Sequence, residues 1–196
     1  MKNWMWFGVV GLVILAVAAI AAGGAGSGDE TTDRTAYGTV SVAGESLPPY
    51  EGGGTDGAVG SAAPTVQGDD YTFTPGQGPA VLVFLAHWCP HCRNEVPVIQ
   101  SIVNEGLVPA GVSIVGVATS TNSTQANFPP GAWLEREGWT SPLIFDDSGN
   151  TAGQAYGVTS FPFWVVVGAD GTVSGRLAGE IGREAILQLL DVAAQS

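Results

Sequence analysis

The chain has 196 residues, 45% of them hydrophobic, enough for one domain with a real core plus appendages. Its formal net charge is −12 and Lys2 is its single lysine, so its surface repels phosphate backbones and nucleic acid is excluded as a partner class. Two cysteines, Cys89 and Cys92, are too few for the disulfide framework that staples small secreted domains.

The first element is the run from Trp4 to Ala22, which carries no charge and approaches the roughly 20 apolar residues needed to cross hydrocarbon as a helix. Trp4 and Trp6 suit the membrane interface. Residues 1–23 are therefore expected to be a single-pass anchor with a cytoplasmic N-terminus, and a cleaved signal peptide with its processing site at the small residues Ala19, Ala21, Ala22 and Gly23 is the rival. Either way the remainder is exported, which places the folded part outside the cytoplasm. Residues 24–62 are rich in Gly, Ser, Thr and Ala and nearly free of large aliphatic side chains, a composition expected to give a flexible linker.

Residues 63–196 show an α/β pattern. Tyr71 and Phe73 alternate with threonines as in an edge strand or hairpin, and Ala80 to Ala86 is a continuous apolar run, as in a strand buried on both faces. Val96, Ile99, Ile102 and Val103 have helical spacing, which predicts a helix over Cys92 to Glu105, with a kink at Pro97. Ser113 to Ala118 reads as a second buried strand. The polar stretch from Thr119 to Gly138 ends in a short helix near Trp133 to Glu137. Leu143 to Phe145 is a short strand, Thr151 to Tyr156 a helical turn and Phe163 to Val167 a third strong strand. Asp170-Gly171 is a hairpin signal leading to a strand near Val173 to Leu177, and Arg183 to Ala194 carries the apolar spacing of a closing helix. Strands alternating with helices in this order indicate an α/β fold around a mixed sheet.

The chemistry lies where the first buried strand hands over to the first helix, in Ala86-His87-Trp88-Cys89-Pro90-His91-Cys92. Unpaired N–H groups and the helix dipole stabilise an anion there, which favours the thiolate of Cys89, the attacking species in disulfide exchange. Pro90 suits the first helical turn, where its missing N–H has no partner to lose. The spacing brings Cys92 round one turn to Cys89, so a reversible Cys89–Cys92 disulfide is expected and no other cofactor is needed. His91, between the sulfurs, can donate to the Cys89 thiolate or pair with it as a cation, which would make the disulfide more oxidising; the alternative is a solvent-facing residue at a helix start. Glu95, three residues after Cys92, falls on the buried face. A carboxyl there is expected to have a raised pKa and to move a proton to or from Cys92, unless it bends out to water. Pro162, at the start of the third strong strand, is expected either to follow a cis bond that frees backbone beside Phe161 for an extended substrate, or simply to begin the strand.

The string from Trp88 to Cys92, Pro97 and the Phe161-Pro162 pair together resemble the thioredoxin superfamily over roughly Pro64 to Ser196. Glu95 within CRNEVP and the insertion at Thr119 to Gly138 are similar to the TlpA/ResA-like membrane-anchored thiol-disulfide oxidoreductases, whereas Pro90-His91 resembles the oxidising DsbA-type enzymes. Val83 stands where cytoplasmic thioredoxins carry a buried aspartate. The resemblance implies a thioredoxin fold, catalysis by Cys89, Cys92, His91, Glu95 and Pro162, and client contacts at Trp88, Pro90 and Phe161. It implies exported client proteins with thiols or disulfides, a membrane redox partner and a part in cell redox homeostasis. The direction of electron flow stays open: potentials in this superfamily run from about −270 mV for thioredoxin to about −120 mV for DsbA.

Two other classes compete. Copper delivery on this fold would need a distant histidine ligand, and no histidine follows His91. A peroxidase would need an activating threonine just upstream of its cysteine and an arginine nearby, and neither Ala86 nor His87 fits.

Overall fold

The computed structural model describes residues 36–196. The expected anchor at 1–23 and the first part of the expected linker, 24–35, lie outside the described residues. Among the described residues no helix is long and apolar enough to cross a membrane.

Among the described residues eight strands and four helices follow one another in chain order. They are β1 (Ser41–Ala43), β2 (Thr65–Gln67), β3 (Thr72–Phe73), β4 (Ala80–Leu85), α1 (Pro90–Asn104), β5 (Ser113–Ala118), α2 (Pro130–Arg136), β6 (Leu143–Phe145), α3 (Thr151–Ala155), β7 (Phe163–Val167), β8 (Val173–Ala178) and α4 (Gly182–Gln195). The main sheet has the order β6-β5-β4-β7-β8. β4, β5 and β6 run parallel, and β7 and β8 return antiparallel. The expected mixed sheet is present, and each strong strand falls where its apolar run lies.

β4 sits at the centre and every one of its residues is buried. Its alternating side chains supply two cores, as period-two geometry requires. Val81, Val83 and Leu85 join Ile99 and Ile102 of α1 and Leu190 of α4 on one face, while Leu82 and Phe84 join Tyr156 and Phe163 on the other. α1 runs unbroken through the exposed Pro97.

The linker expectation fails for residues 36–62. Ser41–Ala43 pairs antiparallel with β2, so β1, β2 and β3 form a second small sheet. Leu47 and Ala58 are buried, and the N–H groups of Leu47 and Tyr50 donate to Ala155 and Gly157 carbonyls at 2.8 and 2.9 Å. Asp56 takes two hydrogen bonds from the buried Arg176 guanidinium, at 2.9 and 2.5 Å, and Pro48 O accepts a third at 2.8 Å. The approach is close enough to need glycine: a Cβ on Gly157, whose φ is +65°, would lie 2.2 Å from Pro48 O. Composition misleads here because main-chain hydrogen bonds and one buried ion pair, rather than large side chains, hold the segment. The domain therefore begins well before residue 63.

Candidate active site

The site forms where the central strand ends. After Leu85 the chain turns through Ala86 to Trp88, with the Cys89 N–H donating to Ala86 O at 2.9 Å, and Cys89 becomes the N-cap of α1 with an extended backbone (φ −73°, ψ 122°). Pro90 occupies the first helical turn as expected. Both cysteines are free thiols. Cys89 retains 6% exposure while Cys92, one turn in, retains none. Burial pushes the Cys92 thiol far above its ordinary range, and the neighbouring Cys89 and Glu95 push it the same way. One sulfur is placed to meet another molecule and the second can meet only the first.

The Phe161–Pro162 bond is cis, the isomer expected, and the Cys89 Sγ–H donates to Phe161 O at 3.5 Å. Trp88 stands edge-on to Phe161, with ring centroids 6.0 Å apart, and its indole Nε1–H donates to Ser120 O at 2.8 Å. Trp88, Cys89, Cys92, Phe161 and Pro162 are thus brought together. A cleft of about 460 Å³ opens beside Trp88, lined by Tyr37, Ser120, Asn122, Gln125 and Asn150 without one charged side chain.

Glu95 does not bend out to water. It is fully buried, and its carboxylate accepts the N–H groups of Ile181 and Gly182, at 2.6 and 2.8 Å, at the start of α4. Desolvation holds its pKa above the ordinary carboxylate range, and the two N–H groups counter this in part. The expected direction of the shift is present, together with a second use that the sequence did not signal: Glu95 ties α1 to α4.

His91 departs from expectation. Its side chain is 64% exposed and its Nδ1–H donates to Glu180 Oε2 at 2.8 Å instead of turning to the Cys89 sulfur. Asn94 donates to the same oxygen at 3.2 Å. Glu180 comes from the loop between β8 and α4, 89 residues away, and nothing in the local sequence marks it.

His87 is buried and committed at both ring nitrogens: Nδ1–H donates to Ala126 O at 2.7 Å and Nε2 accepts the Asn122 N–H at 3.1 Å. Desolvation lowers its pKa, which keeps it neutral. Asn127 Nδ2–H donates to His87 O at 3.1 Å, so the insertion after β5 is laced to the motif through His87 as well as through Trp88. Among the described residues no group of three or more His, Cys, Asp or Glu is placed to hold a metal ion.

The family model described as AhpC/TSA matches residues 56–176. The chain belongs to that family. Its fold is thioredoxin-like. Among relatives of this AhpC/TSA member, the thiol:disulfide interchange protein HelX of Rhodobacter capsulatus is 31% identical over 108 residues, 55% of this chain and 56% of HelX. The chain thus spans a little over half of HelX's length. The thioredoxin-like protein YneN of Bacillus subtilis is 25% identical over 129 residues, 65% of this chain and 73% of YneN. The solved structure of StoA from Bacillus subtilis superposes with a TM-score of 0.52 at 21% identity, covering 64% of this chain and 91% of StoA, a likeness of fold.

Proposed function

We propose that the protein is an extracytoplasmic thiol-disulfide oxidoreductase, held to the cell membrane by residues 1–23, that exchanges disulfides with exported proteins through Cys89 and Cys92. The observation that carries this reading is the asymmetry of the two cysteines at the head of α1, one keeping 6% exposure beside the Phe161–Pro162 loop and one with none. The relatives named as thiol:disulfide interchange and thioredoxin-like proteins support it.

In the reducing direction the Cys89 thiolate attacks one sulfur of a client disulfide, forming a mixed disulfide and expelling a client thiolate that takes up a proton. Cys92 then surrenders its proton, attacks the Cys89 sulfur, closes the Cys89–Cys92 disulfide and releases the second client thiolate. Two electrons pass to the client. Oxidation of a client dithiol is the same sequence reversed. Glu95 is the acceptor of the Cys92 proton, since a buried carboxyl with a raised pKa can take it and two backbone N–H groups steady the charge when the proton leaves again. Trp88, Pro90, Phe161 and the uncharged cleft receive the client chain, and a membrane redox partner resets the dithiol.

Single-cysteine variants of the full-length chain test this. Cys89→Ser should abolish insulin reduction, whereas Cys92→Ser should still attack once and accumulate a mixed disulfide visible on a non-reducing gel. Retention of turnover in Cys89→Ser would refute the assignment.

A further inference from the structure

The motif histidine and its carboxylate partner bear on the direction of electron flow left open by the sequence. The loop Gly179 to Gly182 is fastened on two sides. Gly179 N–H donates to Pro162 O at 2.8 Å, and Gly179 O accepts the Trp164 indole at 3.2 Å. Glu95 grips the next two N–H groups, at Ile181 and Gly182. Glu180 lies between these anchors, so its carboxylate is delivered to the first turn of α1 by backbone held on both sides. There it receives His91 Nδ1–H and Asn94 Nδ2–H, and these donors lower its pKa, so it is an anion at neutral pH.

We propose that Glu180 is a positioning residue that withholds His91 from the Cys89 thiolate and thereby makes the Cys-Pro-His-Cys disulfide less oxidising than its dipeptide alone would set it. The proposal rests on the exchange reading above.

Two effects act in the same direction. A histidine that donates to or pairs with the thiolate stabilises the reduced form and raises the potential, and here one ring nitrogen is engaged by Glu180 instead. The Glu180 carboxylate is itself a negative charge at the mouth of the site, opposing the negative charge that forms on sulfur. Both favour the disulfide over the dithiol. The Glu180 charge also adds to the raised pKa of Glu95, but that carboxyl serves the resolving sulfur Cys92 rather than the Cys89 thiolate. The charged and titratable groups at this face are His91 and Glu180 themselves, with Arg93 exposed on the same turn and Glu95 sealed behind it.

The test is an equilibrium of the full-length chain with glutathione at pH 7, read by alkylation of the free thiols. Glu180→Gln and Glu180→Ala should shift the equilibrium toward the dithiol by about tenfold, which is about 30 mV for a two-electron couple. Because Glu180 is exposed, both variants should keep the wild-type unfolding midpoint. In a His91→Ala background the Glu180→Gln shift should shrink to less than about threefold, since most of its effect passes through the imidazole. An unchanged constant, or a shift toward the disulfide, overturns the proposal, and an undiminished shift without His91 overturns the part assigned to the histidine. A wild-type chain that forms no disulfide at any glutathione ratio overturns the exchange reading itself, and is distinguished by its permanently alkylatable thiols.

Discussion

Cys92 and Glu95 are two buried ionisable groups one turn apart on α1. Both are fully buried, and the Glu95 charge pushes the Cys92 thiol, already raised by burial, further up. A thiol pushed so high cannot resolve a mixed disulfide unless its proton has somewhere to go at the moment of attack. Glu95→Gln keeps an acceptor oxygen for the α4 N–H groups and removes the proposed proton acceptor. It should slow closure of the Cys89–Cys92 disulfide by about a hundredfold while leaving first attack by Cys89 within twofold. Stopped-flow alkylation of the mixed disulfide, followed from pH 5 to 9, measures both steps. An unchanged pH profile for closure would remove Glu95 from the reaction and leave it as the tie between α1 and α4. The position of Glu95 on the buried face was readable from its spacing to Ile99 and Ile102, but its partners were not, because they arrive from a loop 86 and 87 residues further on. The same limit hid Glu180: a motif advertises the residues inside it and is silent on the loop that folds over it.

Among the elements, those built from apolar runs were legible and those built from polar bonds were not. The runs at Ala80 and Phe163 lie in β4 and β7, each buried throughout. The insertion after β5 was legible as polar with a short helix at its end, where α2 lies, but the course of its first half was not, since what gives it shape is His87, Asn122, Asn127 and the left-handed residues Ser120 and Asn150. Asn150 Oδ1 accepts the Ser120 N–H at 2.8 Å, which aims Ser120 O at the Trp88 indole. His87 makes this element sensitive to pH in a direction that follows from linkage. Its folded pKa lies below the ordinary histidine value near 6.5, so the unfolded chain binds the proton more tightly, and the contribution of His87 is full above about pH 6.5 and lost as pH falls through the lower folded value. His87→Leu leaves the Asn122 N–H and Ala126 O without a partner, and should lower stability by about 1–3 kcal/mol at pH 7.5. Urea unfolding at several pH values between 5 and 8 should show a wild-type midpoint that falls below pH 6.5 and a variant whose midpoint falls less over that window. Parallel slopes would mean that another group titrates there.

On the scale of the whole molecule, the docking of residues 36–62 completes the domain and shortens the tether to the proposed anchor. With an anchor ending at residue 23, only residues 24–35 separate it from Ala36, and twelve residues span at most about 45 Å when fully extended. Tyr37 lines the cleft beside Trp88 and donates to Thr121 O at 3.2 Å, so the described chain begins on the side of the active site. The docked segment also shields what lies beneath it: Tyr50 packs edge-on against Phe163 with centroids 5.4 Å apart, and Asp56 neutralises an arginine whose side chain is wholly buried. Removing one partner of such a pair costs about 3–5 kcal/mol, a large share of the 5–15 kcal/mol typical of a whole domain. A chain starting at residue 63 should therefore lose most of the stability, in guanidinium, of one starting at residue 36. Adding Arg176→Met to the shorter chain should recover part of the loss, because it removes the stranded charge rather than restoring the pair. Equal midpoints for the chains starting at 36 and 63 would return residues 36–62 to the role of a linker.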